Sequence, residues 1–443
     1  MNHEKCRAII ARDRRVIPDC QHNTSFPLAI ERANGAILED ADGNRYIDFL
    51  ASSASLNLGS CHPVVAEAIE AQLKRYTQYG IYFIYNGITV DYAERLVSVF
   101  PGEGPAKIAF GNSGSDAADA AIKFARAYTG RPKIISFIDG YHGNTLASAS
   151  LTFCSSKTRE KYGPMVPDIY PFRYYGTDRP DEEVERCALQ DIALAFETYL
   201  PPEEVAAVIV EPIQGDSGIL PAHPLFMKKL GAMCKKHGIL FISDETQQGF
   251  WRTGKFFGIE HYDVKPDGII IGKAMGAGLV MSGFMARSEI MDSLYNHSFT
   301  LSGNALSCAA GIAAFDYYQT TEFQNQLQEH IRTLEEEAAK LKARYPDNVI
   351  FTRNIGMSMG IGVGRPDVHG RPVLDNDAAF KIVYRSFERG LVMIPLAGHV
   401  LRIQPPLVIT SDEIREGFSI IGKSIEDLNA GRIGDEVLCN RKH

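Results

Sequence analysis

The stretch Lys107-Ile-Ala-Phe-Gly-Asn-Ser-Gly-Ser-Asp-Ala-Ala-Asp-Ala-Ala-Ile-Lys-Phe-Ala-Arg126 passes from an apolar run, through a turn with two glycines, directly into an alanine-rich helix. The step from apolar run to polar turn recurs at 133–138, 205–210, 239–242 and 268–271, and helices are expected at 64–76 and 89–100. Alternation of this kind predicts an α/β fold with a mostly parallel sheet covered on both faces, because parallel neighbours need crossovers that lay helices over the sheet. It holds from Pro63 to about residue 305.

The flanks read differently. A charged, irregular lead is followed by short strands at 35–38 and 46–50 about a turn at 42–44. Beyond 305, residues 322–344 are charged with leucine at helical spacing, which predicts a long exposed helix, and strands are expected near 349–352 and 359–363. The last residues, 434–443, are polar and read as loose.

A chain of 443 residues exceeds the usual single domain, so two lobes are expected. A net charge of -8 with interspersed signs argues against nucleic-acid binding, which needs a basic face. No apolar run approaches the roughly 20 residues that span a bilayer, and the start lacks the apolar core of a signal peptide, so no membrane partner and a cytoplasmic location are expected. The eight cysteines form no Cys-x-x-Cys pair and the twelve histidines no His-Glu-x-x-His, so neither disulfides nor a metal site is expected.

In an open parallel sheet, ligands bind beyond the carboxyl ends of the strands. Five such ends carry polar groups: 111–115, 139–143, 211–216, 243–245 and Lys273. Lys273 is no phosphate-loop lysine, since Gly268 and Gly272 enclose three residues where that motif needs four, and Ala274 follows where it needs Ser or Thr. A desolvated lysine is instead a good amine for a Schiff base, although a lone lysine at a strand end is more often surface. The turn at Ser113-Gly114-Ser115 opens a helix and suits a phosphate, provided Asp116 points away; an ordinary capped helix is the plainer reading. Tyr141, between Gly140 and Gly143, can lie flat on a ring or simply pack in the core. Asp244 after a buried strand needs a cation, either a salt-bridge partner or a protonated ring nitrogen. Taken together, a phosphate cup, a stacking aromatic, an anion and an amine describe a site for pyridoxal 5′-phosphate.

Asn112-Ser-Gly-Ser-Asp-Ala-Ala-Asp119, Tyr141-His-Gly, Glu211-Pro-Ile-Gln-Gly-Asp216, Asp244-Glu-Thr-Gln-Gln-Gly-Phe-Trp-Arg-Thr-Gly254, Gly272-Lys273 and Thr300-Leu-Ser-Gly-Asn304 resemble, in order, the motifs of the class III aminotransferases. This is the ornithine and 4-aminobutyrate aminotransferase group, and the likeness runs from about residue 25 to 425. The resemblance implies a fold-type I enzyme with a large domain at 61–305 and a small α+β domain from both chain ends, 1–60 and 306–443. It implies a homodimer or dimer of dimers with shared active sites. Ser113, Gly114 and Ser115 match the phosphate cup, Tyr141 the stacking aromatic, Gln214 a contact near the ring hydroxyl, Asp244 the ring-nitrogen partner and Lys273 the Schiff-base lysine. Glu211 and Thr246 fall among the cofactor residues, and Thr300 matches a phosphate ligand reaching in from the neighbouring subunit. Thr246, Trp251 and Ala305 depart from the usual Val, Gly and Pro.

Two residues bear on the reaction. Where the aminotransferases carry Glu, this chain has Asp216, which resembles the branch of isoleucine 2-epimerases and amino-acid racemases, in which that aspartate is a second acid/base beside Lys273. Arg402, in Val400-Leu-Arg-Ile403, matches the arginine that grips an α-carboxylate, and Ser53 and Tyr82 are candidate pocket residues. The expected activity is racemisation or 2-epimerisation of free α-amino acids. An aminotransferase of the 4-aminobutyrate or ornithine type, with Asp216 only a gate for Arg402, is the alternative.

Overall fold

The computed structural model describes residues 1–23, 25–367 and 369–441. Contacts divide the chain into two compact units, Pro63–Thr320 and a second made of Met1–His62 with Thr321–His443.

The first unit is built on seven strands: β1 (Ala106–Gly111), β2 (Lys133–Phe137), β3 (Ile169–Phe172), β4 (Val205–Val210), β5 (Leu240–Asp244), β6 (Gly268–Ile271) and β7 (Ser282–Arg287). Their order in the sheet is β1-β7-β6-β5-β4-β2-β3. From β6 to β3 every pairing is parallel. Val-Ala-Ala-Val-Ile-Val in β4 is buried throughout, the unbroken apolar run of a strand covered on both faces. β7, which the sequence reading missed, runs antiparallel to both its neighbours, β6 and β1. Two reversals restore direction, so β1 points the same way as the parallel strands and its carboxyl end lies on the same sheet edge as theirs.

The helix Gly114–Thr129 after β1 lays Ala117, Ala118, Ala121 and Ala125 into the core beside Ile209, Ile242 and Ile270. Small side chains let its axis approach the sheet closely, and the apolar area removed from water stabilises by about 25 cal/mol per Å2.

The second unit is α+β. One sheet holds Ile30–Asn34, Ile37–Asp40, Arg45–Asp48 and Leu391–Val392; another is formed by Val349–Ile355, Ser358–Pro366, Val400–Ile403 and Ile394–Leu396, with Pro372–Leu374 on Ser358–Pro366. Leu391–Val392 pairs in parallel with Arg45–Asp48, so strand hydrogen bonds join the two chain ends in this unit.

Three expectations need correction. The lead is not irregular: Glu4–Asp13 is a helix whose first turn is capped from afar, Lys5 N–H and Cys6 N–H donating to the Asp42 carboxylate at 3.0 and 2.9 Å. The compact unit does not end at 305 but runs through Thr320. The reason is the helix Ala305–Tyr318, which packs on Pro63–Leu73 and Gly87–Ser98 so closely that a Cβ at Gly311 would lie 2.5 Å from the Tyr92 ring. The polar tail is not loose over Asp435–Asn440, a 3-10 turn held by Lys381 Nζ donating to Asp435 at 2.6 Å; Lys442 and His443 lie outside the described residues. No helix among the described residues is long and apolar enough to cross a membrane.

Candidate active site

The carboxyl ends of β1, β2, β4, β5 and β6 open onto one cavity of about 170 Å3. Gly114 and Ser115 reach it after β1, and Tyr141, His142 and Gly143 after β2. Glu211 and Asp216 follow β4, Asp244 ends β5 with Thr246 and Gln247 beyond it, and Lys273 follows β6.

The first of these ends is a helix cap. Ser113 is the N-cap of Gly114–Thr129: its Oγ accepts the Asp116 N–H at 3.3 Å, and the Asp116 carboxylate accepts the N–H groups of Asn112 and Ser113 at 2.8 and 3.1 Å. The acid is thus turned back on its own cap, as a phosphate reading of this turn requires. Ser113 itself does not line the cavity. The first-turn N–H groups of Gly114 and Ser115, which do, have no carbonyl four residues back to take.

Glycine at 114 is a steric necessity, because a Cβ there would sit 2.6 Å from Thr246 Cγ2. A Cβ on Gly272 would lie 3.3 Å from both Thr246 Cγ2 and Gly114 Cα. These two glycines let the cap, the end of β5 and the lysine turn meet. Lys273 then begins the 3-10 turn Lys273–Gly276 with a left-handed φ of 46°.

Asp244 has a buried hydrogen-bond partner in His142. His142 Nδ1 lies 2.7 Å from its Oδ2, with both residues 4 % exposed, and Thr246 N–H donates to its Oδ1 at 3.0 Å. Burial alone lowers the imidazole's pKa, but the hydrogen bond and charge of Asp244, with the charge of Glu211, leave it raised above 6.5. His142 lies in Tyr141-His-Gly143, and its signal in the sequence is a histidine immediately after the aromatic at a strand end.

Two further carboxyls are buried here. Glu211 Oε1 accepts the Tyr141 N–H at 2.9 Å and Oε2 the Gly215 N–H at 3.2 Å. Burial, then the charges of Asp244 and Asp216, push its carboxyl up to about 7 against the pull of His142 and the Tyr141 N–H. Glu245 turns away from Asp244 and accepts the N–H groups of Gly258 and Ile259 at 2.6 and 2.8 Å. Burial, and secondarily the charge of Asp216, push the Tyr141 phenol up to about 12, so it stays protonated.

Other expected site residues do not line the cavity. Gln214 is buried, its Nε2 donating to Ile138 O at 2.9 Å and its Oε1 accepting the Ser217 hydroxyl at 2.8 Å. Thr300 is exposed in a turn, and Tyr82 is exposed beside Phe83. Ser53 and Arg402 belong to the other unit. There Ser53 sits in a turn, Ala51–Ala54, whose four residues all have φ between 46 and 63°. Arg402 is buried on Val400–Ile403, its Nε donating to Gln404 Oε1 at 2.5 Å.

The cavity residues fit a phosphorylated pyridine aldehyde. Thr246 Oγ1 is a buried hydroxyl with no hydrogen-bond partner among the described residues, an orphan that a polar group in the cavity would satisfy. The first-turn N–H groups of Gly114 and Ser115 suit a phosphate, the Asp244–His142 pair a ring nitrogen, Tyr141 a ring face and Lys273 an aldehyde.

A family model described as "Aminotransferase class-III" matches residues 20–425. The chain is 36 % identical over 417 residues to an isoleucine 2-epimerase of Lentilactobacillus buchneri, covering 92 % of each. It is 36 % identical over 446 residues to a leucine/methionine racemase of Thermococcus litoralis, covering 97 % of this chain and 98 % of that one. Among solved structures it matches an ornithine aminotransferase of Toxoplasma gondii with a TM-score of 0.80 and 28 % identity, over 96 % of this chain and 95 % of that one. That aminotransferase holds PLP at partial occupancy in its active site.

Proposed function

The chain belongs to the class-III aminotransferase family, with its fold-type I architecture and its pyridoxal 5′-phosphate cofactor, and we propose that it is a racemase or 2-epimerase of free α-amino acids. The observation that carries this reading is Asp216, the shorter acid in place of the aminotransferases' Glu, lining the same cavity as Lys273. When bound, pyridoxal phosphate supplies an aldehyde for the substrate amine and a ring that draws electrons from the α-carbon.

Lys273 takes the α-proton from one enantiomer, and Asp216 returns one to the α-carbon to form the other; in the reverse direction they exchange roles. Asp244, held by His142, would face the ring nitrogen, where a carboxylate favours the protonated form of the ring. Gly114 and Ser115 would hold the phosphate with their first-turn N–H groups, and Tyr141 would cover the ring. Arg402 keeps the role drawn from its sequence match, a guanidinium fork for the substrate carboxylate. The chain works as a homodimer or dimer of dimers to which Thr300 contributes across the interface. The run Tyr82, Phe83, Ile84 and Tyr85 is more than half exposed at each position, an apolar surface suited to burial against a second copy.

The likeness to ornithine aminotransferase favours a second reading, amino transfer to a 2-oxo acid with Asp216 as a gate. Incubating the holoenzyme with a panel of L-amino acids, with and without a 2-oxo acid, and measuring both enantiomers and the oxo acids separates the two. Mirror-image product without an acceptor supports racemisation. Oxo acid formed only with an acceptor overturns it.

A further inference from the structure

The loop that carries Asp216 is tied to the loop that carries Tyr141 on both sides of the aspartate. Before it, Glu211 accepts the N–H of Tyr141 with one oxygen and that of Gly215 with the other, and Gln214 Nε2 donates to Ile138 O at 2.9 Å. After it, the Ser217 hydroxyl lies 3.1 Å from Asp139 O and 2.8 Å from Gln214 Oε1. Gly215 is confined from the opposite direction as well, since a Cβ there would lie 2.6 Å from the Gln247 side-chain carbonyl carbon. Only Asp216 of this stretch faces the cavity together with Glu211.

An aspartate has one fewer rotatable bond than a glutamate, so its carboxylate goes where its backbone puts it. A proton donor must be placed to within a fraction of an ångström, because a misplacement of about 1 Å can cost about 10²-fold in rate. We propose that Glu211, Gln214 and Ser217 form a clasp between the two loops, in which Glu211 is a positioning residue that sets Asp216 for proton return to the α-carbon. The inference rests on the racemase reading for its chemistry, but not for its structure.

The test uses Glu211→Gln, with Ser217→Ala as a milder variant that carries the test where the first fails to fold. An amide can serve only one of the two N–H groups as acceptor and turns a donor toward the other. In the apoprotein, amide hydrogen–deuterium exchange over 138–143 and 211–218 should quicken together by about tenfold in Glu211→Gln, the worth of one charge-assisted bond, with the rest of the sheet unchanged. In the holoenzyme, conversion to the mirror-image amino acid should fall by about 10²-fold, while solvent deuterium exchange into the enantiomer served by Lys273 falls by less than about threefold. Ser217→Ala should move both readouts in the same direction by a smaller factor. Unchanged protection in either loop overturns the clasp, and so does a loss of inversion and exchange in equal measure. A wild-type enzyme that produces no mirror-image product refutes the racemase reading instead, and the exchange pattern of the apoprotein then decides the clasp alone.

Discussion

His142 Nδ1 and Asp244 Oδ2 stand 2.7 Å apart at the carboxyl edge of the sheet, both buried, in residues 102 positions apart in sequence. Removing one partner of such a pair leaves a charge uncompensated, at a cost of about 3–5 kcal/mol. The bound cofactor's ring nitrogen offers Asp244 a second cation. His142→Ala should therefore destabilise the apoprotein by more than the holoprotein, as read from urea unfolding of both forms; equal losses would show that the imidazole's packing, not its charge, is what matters.

Lys273→Ala removes the amine that lines the cavity between the glycine turns. The purified variant should lack the visible absorption of a lysine-bound pyridoxal, release its cofactor on gel filtration and retain almost no turnover. Normal activity in that variant would remove Lys273 from the mechanism.

Asp216→Asn should separate the two halves of the reaction. Lys273 still abstracts the proton from its own enantiomer, so deuterium enters that amino acid with retention while inversion falls by about 10²–10⁴, the usual worth of a general acid–base group. Proton NMR in deuterium oxide with chiral chromatography reads both.

The buried acids predict a direction for stability against pH. Glu211, raised from 4.5 to about 7, contributes stability fully present below about pH 4.5 and lost as pH rises through about 7. His142, raised above 6.5, contributes a share present below 6.5 and lost as pH rises through its folded value. Both act in the same sense, so the Tm of the apoprotein should gain from acidification from pH 8 toward 5 at these two sites. The pH dependence of Glu211→Gln should be flatter over that interval. Parallel curves for variant and wild type would show that Glu211 does not titrate there.

Phe83→Asp places a charge in the exposed apolar run of 82–85. If that run is buried between copies, light scattering should show a shift toward monomer, and cofactor retention should weaken with it by mass action. An unchanged mass would place the interface elsewhere.

Much of the large unit was legible because its signals are local. The apolar run of β4 and the glycine turn before a helix at 111–115 each declare themselves within a few residues. β7 was not legible: Ser282-Gly-Phe-Met-Ala-Arg287 is short and mixed in character, and it becomes a strand because β6 and β1 leave it a place between them. That the helix Ala305–Tyr318 packs in the large unit was not legible for a similar reason, since nothing in its own residues says which helices it packs on.

The sequence by itself determined the chemistry available: a lysine at the end of an apolar strand, an aspartate after another, a glycine turn opening a helix and an aspartate in place of a glutamate at 216. Those depend on residue identity and on periodicity over a single strand or turn. Tertiary structure alone decided which of these groups meet. His142 rather than Lys or Arg became the partner of Asp244; Asp116 was drawn back into its cap; Gln214 was bonded to Ile138 and Ser217; and Glu211, 70 positions from Tyr141, came to bridge the two loops. The reason is physical: a hydrogen bond acts over about 3 Å in space, whatever the separation in sequence, and only the parallel crossovers bring the ends of distant strands within that reach.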